Sequence, residues 1–310
     1  MRLGIIGLGK MGGNMARRLR RAGIEVVGFD RDPAVAEALA GECGVTAAAD
    51  PRDLVEALDS PRAVWLMLPA GEVTETSVEL MKSLLAPGDI LVDGANSWFK
   101  DSMRRGDSLA ERGIEFIDVG VSGGVWGLEN GYALMVGGAP KAVEHLQPVI
   151  TALAPAPDRG WLHIGPVGSG HFVKMVHNGI EYGMMQAYAE GFALMQARAD
   201  WNVDLAGIAE TWRHGSVVRS WLLDLAAGFL AEDQRLEGIE PFVADSGEGR
   251  WTAIEAIEQG VPTPVMSTAL MMRFASQGGQ DYAAKVLAKM RQAFGGHATR
   301  DAGPSVCCFH

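Results

Sequence analysis

The amino-acid sequence predicts two domains: a doubly wound α/β domain with a parallel sheet, followed by an all-α domain. Over the first 165 residues, short apolar runs alternate with helical patterns, which is typical of parallel strands connected by helices. After Gly165 the alternation stops, and a long apolar pattern without proline runs from about 168 to 199. A chain of 310 residues is also long enough for two cores. We therefore predict domains at 1–165 and 166–310.

The individual elements follow from the length and period of each apolar pattern. The predicted strands are brief and end near glycine, aspartate or proline; they lie at 2–6, 25–29, 64–68, 89–93 and 115–121. Helical patterns lie between these strands in the first domain, for example at 13–22, 33–40, 74–85 and 101–112. In the second domain, helices are predicted after the central one at 203–212, 218–231, 251–259, 263–276 and 281–294. Residues 295–310 show little periodicity, and a tail is expected there.

Composition restricts the classes of function. The formal net charge is −11, so no broad basic surface is available for nucleic acid or an anionic membrane. No stretch approaches the roughly 20 apolar residues that a membrane-spanning helix needs. The cysteines, Cys43, Cys307 and Cys308, form neither a disulfide framework nor a zinc set. We expect a cytoplasmic protein with a small-molecule substrate, and an anionic substrate would need a local cationic pocket.

A glycine motif lies near the start of the chain, between the first predicted strand and the first helix. It reads Gly7-Leu8-Gly9-Lys10-Met11-Gly12 and fits G-x-G-x-x-G. In a Rossmann-type domain the first glycine allows the tight turn, and the second lets the pyrophosphate approach the backbone. The third lets helix and strand pack closely, while the helix N-terminus faces the phosphates. In this context the motif predicts a dinucleotide site rather than a turn without a ligand.

The end of the second predicted strand bears on the choice of nucleotide. Asp30 follows this strand, and its carboxylate would accept hydrogen bonds from ribose hydroxyls and repel a 2′-phosphate. Arg31 points the other way, because a guanidinium can pair with a phosphate, but Asp32 offsets it. We predict NAD as the cofactor, with NADP as the weaker alternative. A role for Asp30 as a turn residue alone stays open.

A polar stripe marks the first half of the central helix. Lys174, His177, Asn178 and Glu181 are spaced i, i+3, i+4 and i+7, which places them on one helical face. Their neighbours are apolar, so we expect the helix to be buried nearly all round. Because unpaired buried charges are costly, the stripe should line a polar cavity rather than form a solvated face. Burial favours a neutral amine, so Lys174 is the candidate base, and Glu181, expected one turn away, is a second acid.

These residues, in this order, resemble the decarboxylating 6-phosphogluconate dehydrogenases, and the likeness covers nearly the whole chain. The run from Lys174 to Tyr182 is similar to the family's most specific signature. The resemblance implies that Lys174 is the base and that His177, Asn178, Glu181 and Tyr182 surround the substrate. It also implies that Asn96, in Asp93-Gly94-Ala95-Asn96-Ser97, touches both cofactor and substrate. The substrate loop is assigned to Ser122, Gly123 and Gly124, and Leu68 and Pro69 are assigned with Arg31 to the cofactor site.

The phosphate subsite is only partly supported by this resemblance. The segment from Asp245 to Thr252 resembles a glycine-rich family segment, but a phosphate-contacting lysine of the long-chain members has no counterpart here. Arg273 matches a phosphate-binding arginine. Arg291 and His297 match an arginine and a histidine that complete the neighbouring subunit's site, which implies a homodimer or a dimer of dimers. The chain length indicates the short-chain branch of the family.

The chemistry implied by the resemblance needs no metal. Lys174 takes the C3 hydroxyl proton while hydride leaves for the nicotinamide, the β-keto acid loses CO₂, and Glu181 protonates C1 of the enediol to give ribulose 5-phosphate. Protonated Lys174 polarises the ketone, and no His, Cys or carboxylate cluster has metal-ligand spacing. This reaction belongs to the pentose phosphate pathway and to gluconate utilization.

Two alternative functions remain open. A β-hydroxyacid dehydrogenase for small, unphosphorylated 3-hydroxy acids would share the glycine motif, a Ser-Gly-Gly loop and a helix lysine. It would not share the run from His177 to Tyr182 or the C-terminal arginine and histidine. A non-catalytic dinucleotide sensor of the same fold would have no reason to keep Lys174 and Glu181 together.

Overall fold

The computed structural model describes residues 1–278 and 281–295. The chain forms two compact units, Met1–Gly179 and Ile180–His310. The division between them falls inside the long central helix, later in the chain than the boundary predicted at residue 165. Among the described residues, the structure has no helix with the length and apolar character needed to cross a membrane.

The first unit contains one sheet with the strand order β3-β2-β1-β4-β5-β6-β7-β8. Its strands are β1 (Arg2–Ile6), β2 (Glu25–Phe29), β3 (Thr46–Ala47), β4 (Ala63–Leu66), β5 (Ile90–Asp93), β6 (Glu115–Ser122), β7 (Ala133–Gly138) and β8 (Trp161–Gly165). Chain order reverses direction across the sheet where β1 lies beside β4, which makes this the topological switch point of a doubly wound sheet.

Helices connect the strands. They are α1 (Lys10–Arg21), α2 (Pro33–Cys43), α3 (Pro51–Glu56), α4 (Glu72–Leu84), α5 (Phe99–Ala110), α6 (Gly127–Asn130) and α7 (Pro140–Leu153). They cover both faces of the sheet. Consecutive residues of a strand point to opposite faces, so neighbouring residues enter different cores. In β1, Leu3 and Ile5 share a core with residues of α1, α2 and α7, whereas Ile6 shares a second core with residues of α3, α4 and α5. The predicted doubly wound fold is therefore confirmed.

The sheet is parallel, as predicted, except at one pair of strands. β7 runs antiparallel to β6, while the other neighbouring strands are parallel. The connection at 123–132 is shorter than the dozen or more residues that a parallel crossover needs. The sequence analysis also missed β3, β7 and β8, and the helices it gave as examples did not include α3, α6 or α7. Helix α7 has Pro140 in its first turn and Pro148 inside it, which weakens the helical signal of its sequence.

In its described residues, 180–278 and 281–295, the second unit contains helices joined by loops and no strand. Helix α8 (Ser169–Gln196) enters it from the first unit, and the helices that follow are α9 (Leu205–Arg213), α10 (Trp221–Glu232), α11 (Glu248–Gln259), α12 (Pro264–Ser276) and α13 (Asp281–Gly295). Leu223, Ala227 and Leu230 of α10 pack with Leu205 and Ala209 of α9 in one small core. The predicted all-α second domain is confirmed.

Helix α8 is less buried than its sequence indicated. Met175 is 2% exposed, but Ile180 is 52% exposed. Phe172, Val173 and Val176 are half-buried. The expectation of a helix buried nearly all round is therefore wrong, because apolar side chains on its outer side have no cover within the described chain.

Candidate active site

The glycine motif forms the turn between β1 and α1. Gly7 has a φ of +92°, and a Cβ there would meet the carbonyl oxygen of Met67. A Cβ on Gly12 would overlap the carbonyl oxygen of Gly7, so only glycine lets α1 pack this close to the strand. A Cβ built on Gly9, by contrast, has no neighbour within 4 Å. The turn thus has open space in front of the N-terminus of α1, and these residues fit a dinucleotide pyrophosphate.

Asp30 links the end of β2 to the glycine motif. Its Oδ2 accepts a hydrogen bond from the Leu8 amide at 2.8 Å, and its Oδ1 accepts one from the Asp32 amide at 3.1 Å. Each carboxylate oxygen has a second lone pair that stays available for a ribose hydroxyl. The Leu8 side chain is buried in the core, so this predicted cofactor residue presents only its backbone, whereas Arg31 is exposed.

A cavity of about 230 Å³ lies at the carboxyl ends of the central strands. Its lining residues are Met11, Met67, Leu68, Gly94, Ala95, Asn96 and Val121. The structure therefore brings together three predicted site residues, Met11, Leu68 and Asn96, at the edge where doubly wound sheets bind ligands. Met67 and Val121 were missed, although their places at the ends of predicted strands could have indicated them. Lys10 and Pro69 are exposed and do not line this cavity.

Lys174 lies on α8 with its stem against β6. The residue is 9% exposed, and its Cβ and Cγ pass directly over Gly120, where any larger residue would collide with them. Its Nζ donates to Asn178 at 2.7 Å, and His177 Nδ1 lies 3.0 Å from the same atom, Asn178 Oδ1. An amide oxygen can only accept, so His177 Nδ1 donates to it. His177 Nε2 is then the acceptor that faces Ser122 Oγ at 3.4 Å.

The start of this helix is fixed by a carboxylate that the sequence analysis missed. Asp118, in β6, is fully buried, and its two oxygens accept from the amides of Gly168 at 2.6 Å and His171 at 2.7 Å. A carboxylate at a helix N-terminus satisfies free amides and complements the helix dipole. His171 Nδ1 in turn bonds Ser102 Oγ of α5 at 2.7 Å. An aspartate inside an apolar strand was the available signal.

The predicted substrate loop begins where β6 ends. Gly123 and Gly124 have φ values of +144° and +53°, which favour glycine. Tyr132 is fully buried beneath the loop, and a Cβ on Gly127 would overlap its ring. Burial raises the pKa of Tyr132 to about 12, so the phenol stays neutral. The loop thus has a rigid aromatic support that sequence reasoning did not find.

In the second unit, Tyr182 and Arg273 lie together beside the glycine-rich segment. The Arg273 guanidinium lies 3.3 Å above the centre of the Tyr182 ring and donates to the Ala244 carbonyl at 3.1 Å. Tyr182 Oη is 3.4 Å from Ser246 Oγ, which bonds the buried Glu248 carboxylate at 2.5 Å. The sequence predicted Tyr182 and Arg273 as substrate residues from separate motifs, and the fold brings them into contact.

The remaining predicted site residues are Glu181, Arg291 and His297. Glu181 is half-buried on α8, seven residues after Lys174, so it lies about two turns away rather than the expected one. Arg291 is exposed on α13, and His297 lies outside the described residues. Within residues 1–278 and 281–295, no three His, Cys, Asp or Glu side chains are grouped as metal ligands would be.

A glycine turn at a helix N-terminus, a cavity at the switch point and a buried lysine beside the sheet define a class of protein. The class is the dinucleotide-dependent oxidoreductases with a Rossmann-type unit and a helical second unit. Residues 2–165 match the model of the NAD binding domain of 6-phosphogluconate dehydrogenase, and residues 170–302 match that of its C-terminal domain. The chain belongs to the 6-phosphogluconate dehydrogenase family.

Similar proteins agree with this assignment. The chain is 42% identical to an NAD(+)-dependent, decarboxylating 6-phosphogluconate dehydrogenase of Haloferax volcanii, over 96% of this chain and 98% of that protein. It is 35% identical to a Bacillus subtilis enzyme of the same description, and that match spans 88% of this chain but only 61% of the relative. A solved Plasmodium falciparum 6-phosphogluconate dehydrogenase is 29% identical with a TM-score of 0.82, covering 98% of this chain and 67% of that one.

A second solved structure shares the fold alone. This is a 3-hydroxyisobutyrate dehydrogenase from Salmonella typhimurium, with 24% identity and a TM-score of 0.73 over 89% of this chain and 93% of that one. Both family models and the more similar relatives favour a decarboxylating 6-phosphogluconate dehydrogenase over this alternative. The predicted enzyme class and the NAD-linked cofactor are confirmed.

Proposed function

We propose that this chain oxidises and decarboxylates 6-phosphogluconate to ribulose 5-phosphate and CO₂, with NAD preferred over NADP. The observation that carries the proposal is Lys174, a buried lysine whose amino group lies 2.7 Å from Asn178 Oδ1 on the predicted catalytic stripe. A lysine held in this way is a suitable base for a substrate hydroxyl, and the Haloferax volcanii protein that is 42% identical to this chain is a decarboxylating dehydrogenase.

The oxidation step begins with proton transfer. The Lys174 amine accepts the proton of the C3 hydroxyl. NAD held at the glycine turn would supply the acceptor for the hydride that leaves C3. Asn178 holds the amine through its amide oxygen, and His177, which donates to the same oxygen, keeps that amide in place. Ser122, facing His177 Nε2, orients the imidazole from the other side.

Decarboxylation then uses the same lysine as an ammonium group. Lys174 donates a hydrogen bond to the new C3 carbonyl oxygen, which accepts the electron pair left when CO₂ departs. Glu181 then donates a proton to C1 of the enediol, and this completes ribulose 5-phosphate. The ammonium supplies the polarisation that a metal ion supplies in other β-keto acid decarboxylations.

The remaining predicted residues bind the substrate in this proposal. Asn96, Ser122, Gly123 and Gly124 contact the sugar acid near the cofactor. Tyr182 and Arg273 bind the phosphate, and the stacking of the Arg273 guanidinium on the Tyr182 ring supports this pairing. In this proposal the domain at 1–165 binds the nucleotide and the domain at 166–310 binds the substrate. The enzyme is cytoplasmic.

The proposal is tested by steady-state kinetics of the purified chain with 6-phosphogluconate and each nucleotide. We expect NADH, CO₂ and ribulose 5-phosphate in equal amounts, and a higher kcat/KM with NAD than with NADP. The control substrate is 3-hydroxyisobutyrate, which should give no reduction. Turnover of that acid, or NADH formation without CO₂, contradicts the proposal.

Replacing Asp30 by asparagine should shift the nucleotide preference towards NADP. Asparagine keeps the size and one acceptor of the carboxylate, but removes the negative charge that would face a 2′-phosphate. The ratio of kcat/KM for NADP to that for NAD should rise about tenfold, which corresponds to about 1.4 kcal/mol. Asp32→Asn is the matched control, since Asp32 caps α2 through the Ala34 amide. An unchanged ratio in Asp30→Asn would assign Asp30 to the turn alone.

We further propose a two-fold dimer in which Arg291 and His297 of one subunit complete the site of its partner. Arg291 is exposed on α13, and the described second unit offers Arg273 as the cation stacked beside Tyr182. Mixing an Arg291→Ala subunit with a Lys174→Met subunit should restore about a quarter of wild-type activity, because half the dimers would hold one intact site. If subunits exchange but activity stays absent, Arg291 serves its own subunit.

A further inference from the structure

A buried ion pair lies directly under the loop that carries Asn96. Arg105 Nη1 donates to Asp93 Oδ2 at 2.9 Å and to Ser97 Oγ at 3.2 Å. The side chains of Arg105 and Asp93 are 2% and 0% exposed. Burying such a pair costs desolvation free energy that is often not recovered, so its presence is weak evidence for stability and indicates a geometric role.

Asp93 determines the shape of the loop. Its Oδ1 accepts from the Ala95 amide at 3.0 Å, and its Oδ2 accepts from Ser97 Oγ at 2.9 Å. The residues on both sides of Asn96 are therefore bonded to one carboxylate, while Asn96 itself is exposed. Since Arg105 supplies the countercharge, the conformation of this loop depends on the guanidinium.

The same guanidinium also reaches the other loop of the cavity. Arg105 Nε donates to Glu75 Oε2 at 2.8 Å, and Glu75 lies in the first turn of α4. Thr74 Oγ1, beside it, donates to the Pro69 carbonyl at 2.8 Å, which fixes the segment that follows Leu68. Hydrogen bonds from Arg104, which has the larger effect, and from Arg105 lower the pKa of Glu75 to about 2. This carboxylate therefore stays charged at any pH where the enzyme would work.

We infer that Arg105 is a positioning residue that sets the distance between the two loops lining the dinucleotide cavity, and so controls affinity for the nucleotide. It touches neither cofactor nor substrate; it acts through Asp93 on the Asn96 loop and through Glu75 on the Leu68–Pro69 loop. Two different nitrogens of one planar group make these bonds, and a lysine ammonium cannot reproduce that fork. The inference rests on the proposed NAD-dependent function.

Helix α5 extends this role towards the catalytic lysine. Ser102, one turn before Arg105, bonds His171 near the start of α8. Gly106, beside Arg105, lies against Val167, where a Cβ would approach the valine side chain to 2.8 Å. One rigid helix thus contacts the two cofactor loops and the beginning of the helix that carries Lys174, so a change at Arg105 should also lower kcat.

The test compares Arg105→Lys with Arg104→Lys in the full chain. Arg104 is the matched control, because it is the adjacent arginine and bonds the same Glu75, yet it is 55% exposed and makes no bond to Asp93. We measure the Kd for NADH by fluorescence titration and the KM for NAD, at a temperature where circular dichroism shows both variants folded. Arg105→Lys should weaken NADH binding by about tenfold or more, since displacements of about 1 Å at such sites have large effects. Arg104→Lys should stay within about twofold of wild type.

Ser97→Ala keeps the test decisive if Arg105→Lys fails to fold. It removes one hydroxyl that bonds both Asp93 and Arg105, and leaves the ion pair in place. The Kd for NADH should rise about threefold to fivefold, as expected for one lost hydrogen bond of about 1 kcal/mol. Wild-type affinity in a folded Arg105→Lys, or in Ser97→Ala, overturns the inference. Failure of the wild-type chain to bind NADH would instead overturn the proposed function.

Discussion

Replacing Lys174 by methionine should lower kcat by about 10²–10⁴-fold, the usual contribution of a positioned base. Methionine keeps an unbranched stem over Gly120, so the packing of α8 on β6 should persist. It removes the only amino group on α8, and His177 still donates to Asn178 Oδ1. Both the oxidation and the decarboxylation steps lose their proton carrier. Steady-state kinetics with 6-phosphogluconate and NAD measures the loss.

The control for this variant is Lys141→Met, which removes an exposed lysine from α7. Its kcat should equal that of the wild type. The Kd for NADH should be unchanged within about twofold in both variants, because the glycine turn and the Asn96 loop are built from other residues. Retention of more than about a tenth of wild-type kcat in Lys174→Met would show that another group takes the C3 hydroxyl proton.

Replacing Glu181 by glutamine should lower the rate of ribulose 5-phosphate formation by about 10²-fold, because the amide cannot donate a proton to the enediol. Glutamine keeps the size and the half-buried position of the side chain on α8. Glu190→Gln is the matched control on the same helix, since Glu190 is exposed and bonds Gln186. That variant should keep wild-type activity.

The stereochemistry of protonation gives a second, independent measurement. In D₂O, an acid held on one side of the enediol delivers deuterium to a single face of C1, so the wild-type product should carry one stereospecific label. In Glu181→Gln, protonation from solvent should distribute the label over both faces. A wild-type rate together with a stereospecific label in Glu181→Gln would transfer the role of acid from Glu181 to a different group or a bound water.

Local sequence patterns were sufficient for much of the fold and the candidate site. The glycine motif, the apolar strands and the stripe on α8 are periodic or contiguous, so their physical meaning is readable within one or two turns of chain. The same holds for the helical second unit. The burial of α8 was overestimated, because periodicity shows which side chains are apolar but not whether another element covers them.

The sequence by itself determined the type of each predicted secondary-structure element and the chemistry offered by single residues such as Lys174 and Asp30. Tertiary structure alone decided how that chemistry is held. Asp118 meets the amides of Gly168 and His171 some fifty residues later, and Arg105 joins Asp93 to Glu75. The antiparallel β7 was equally unforeseen. These contacts join residues far apart in the chain. Whether a buried charge meets its partner depends on the order of the strands in the sheet, and the local periodicity of the sequence does not encode that order.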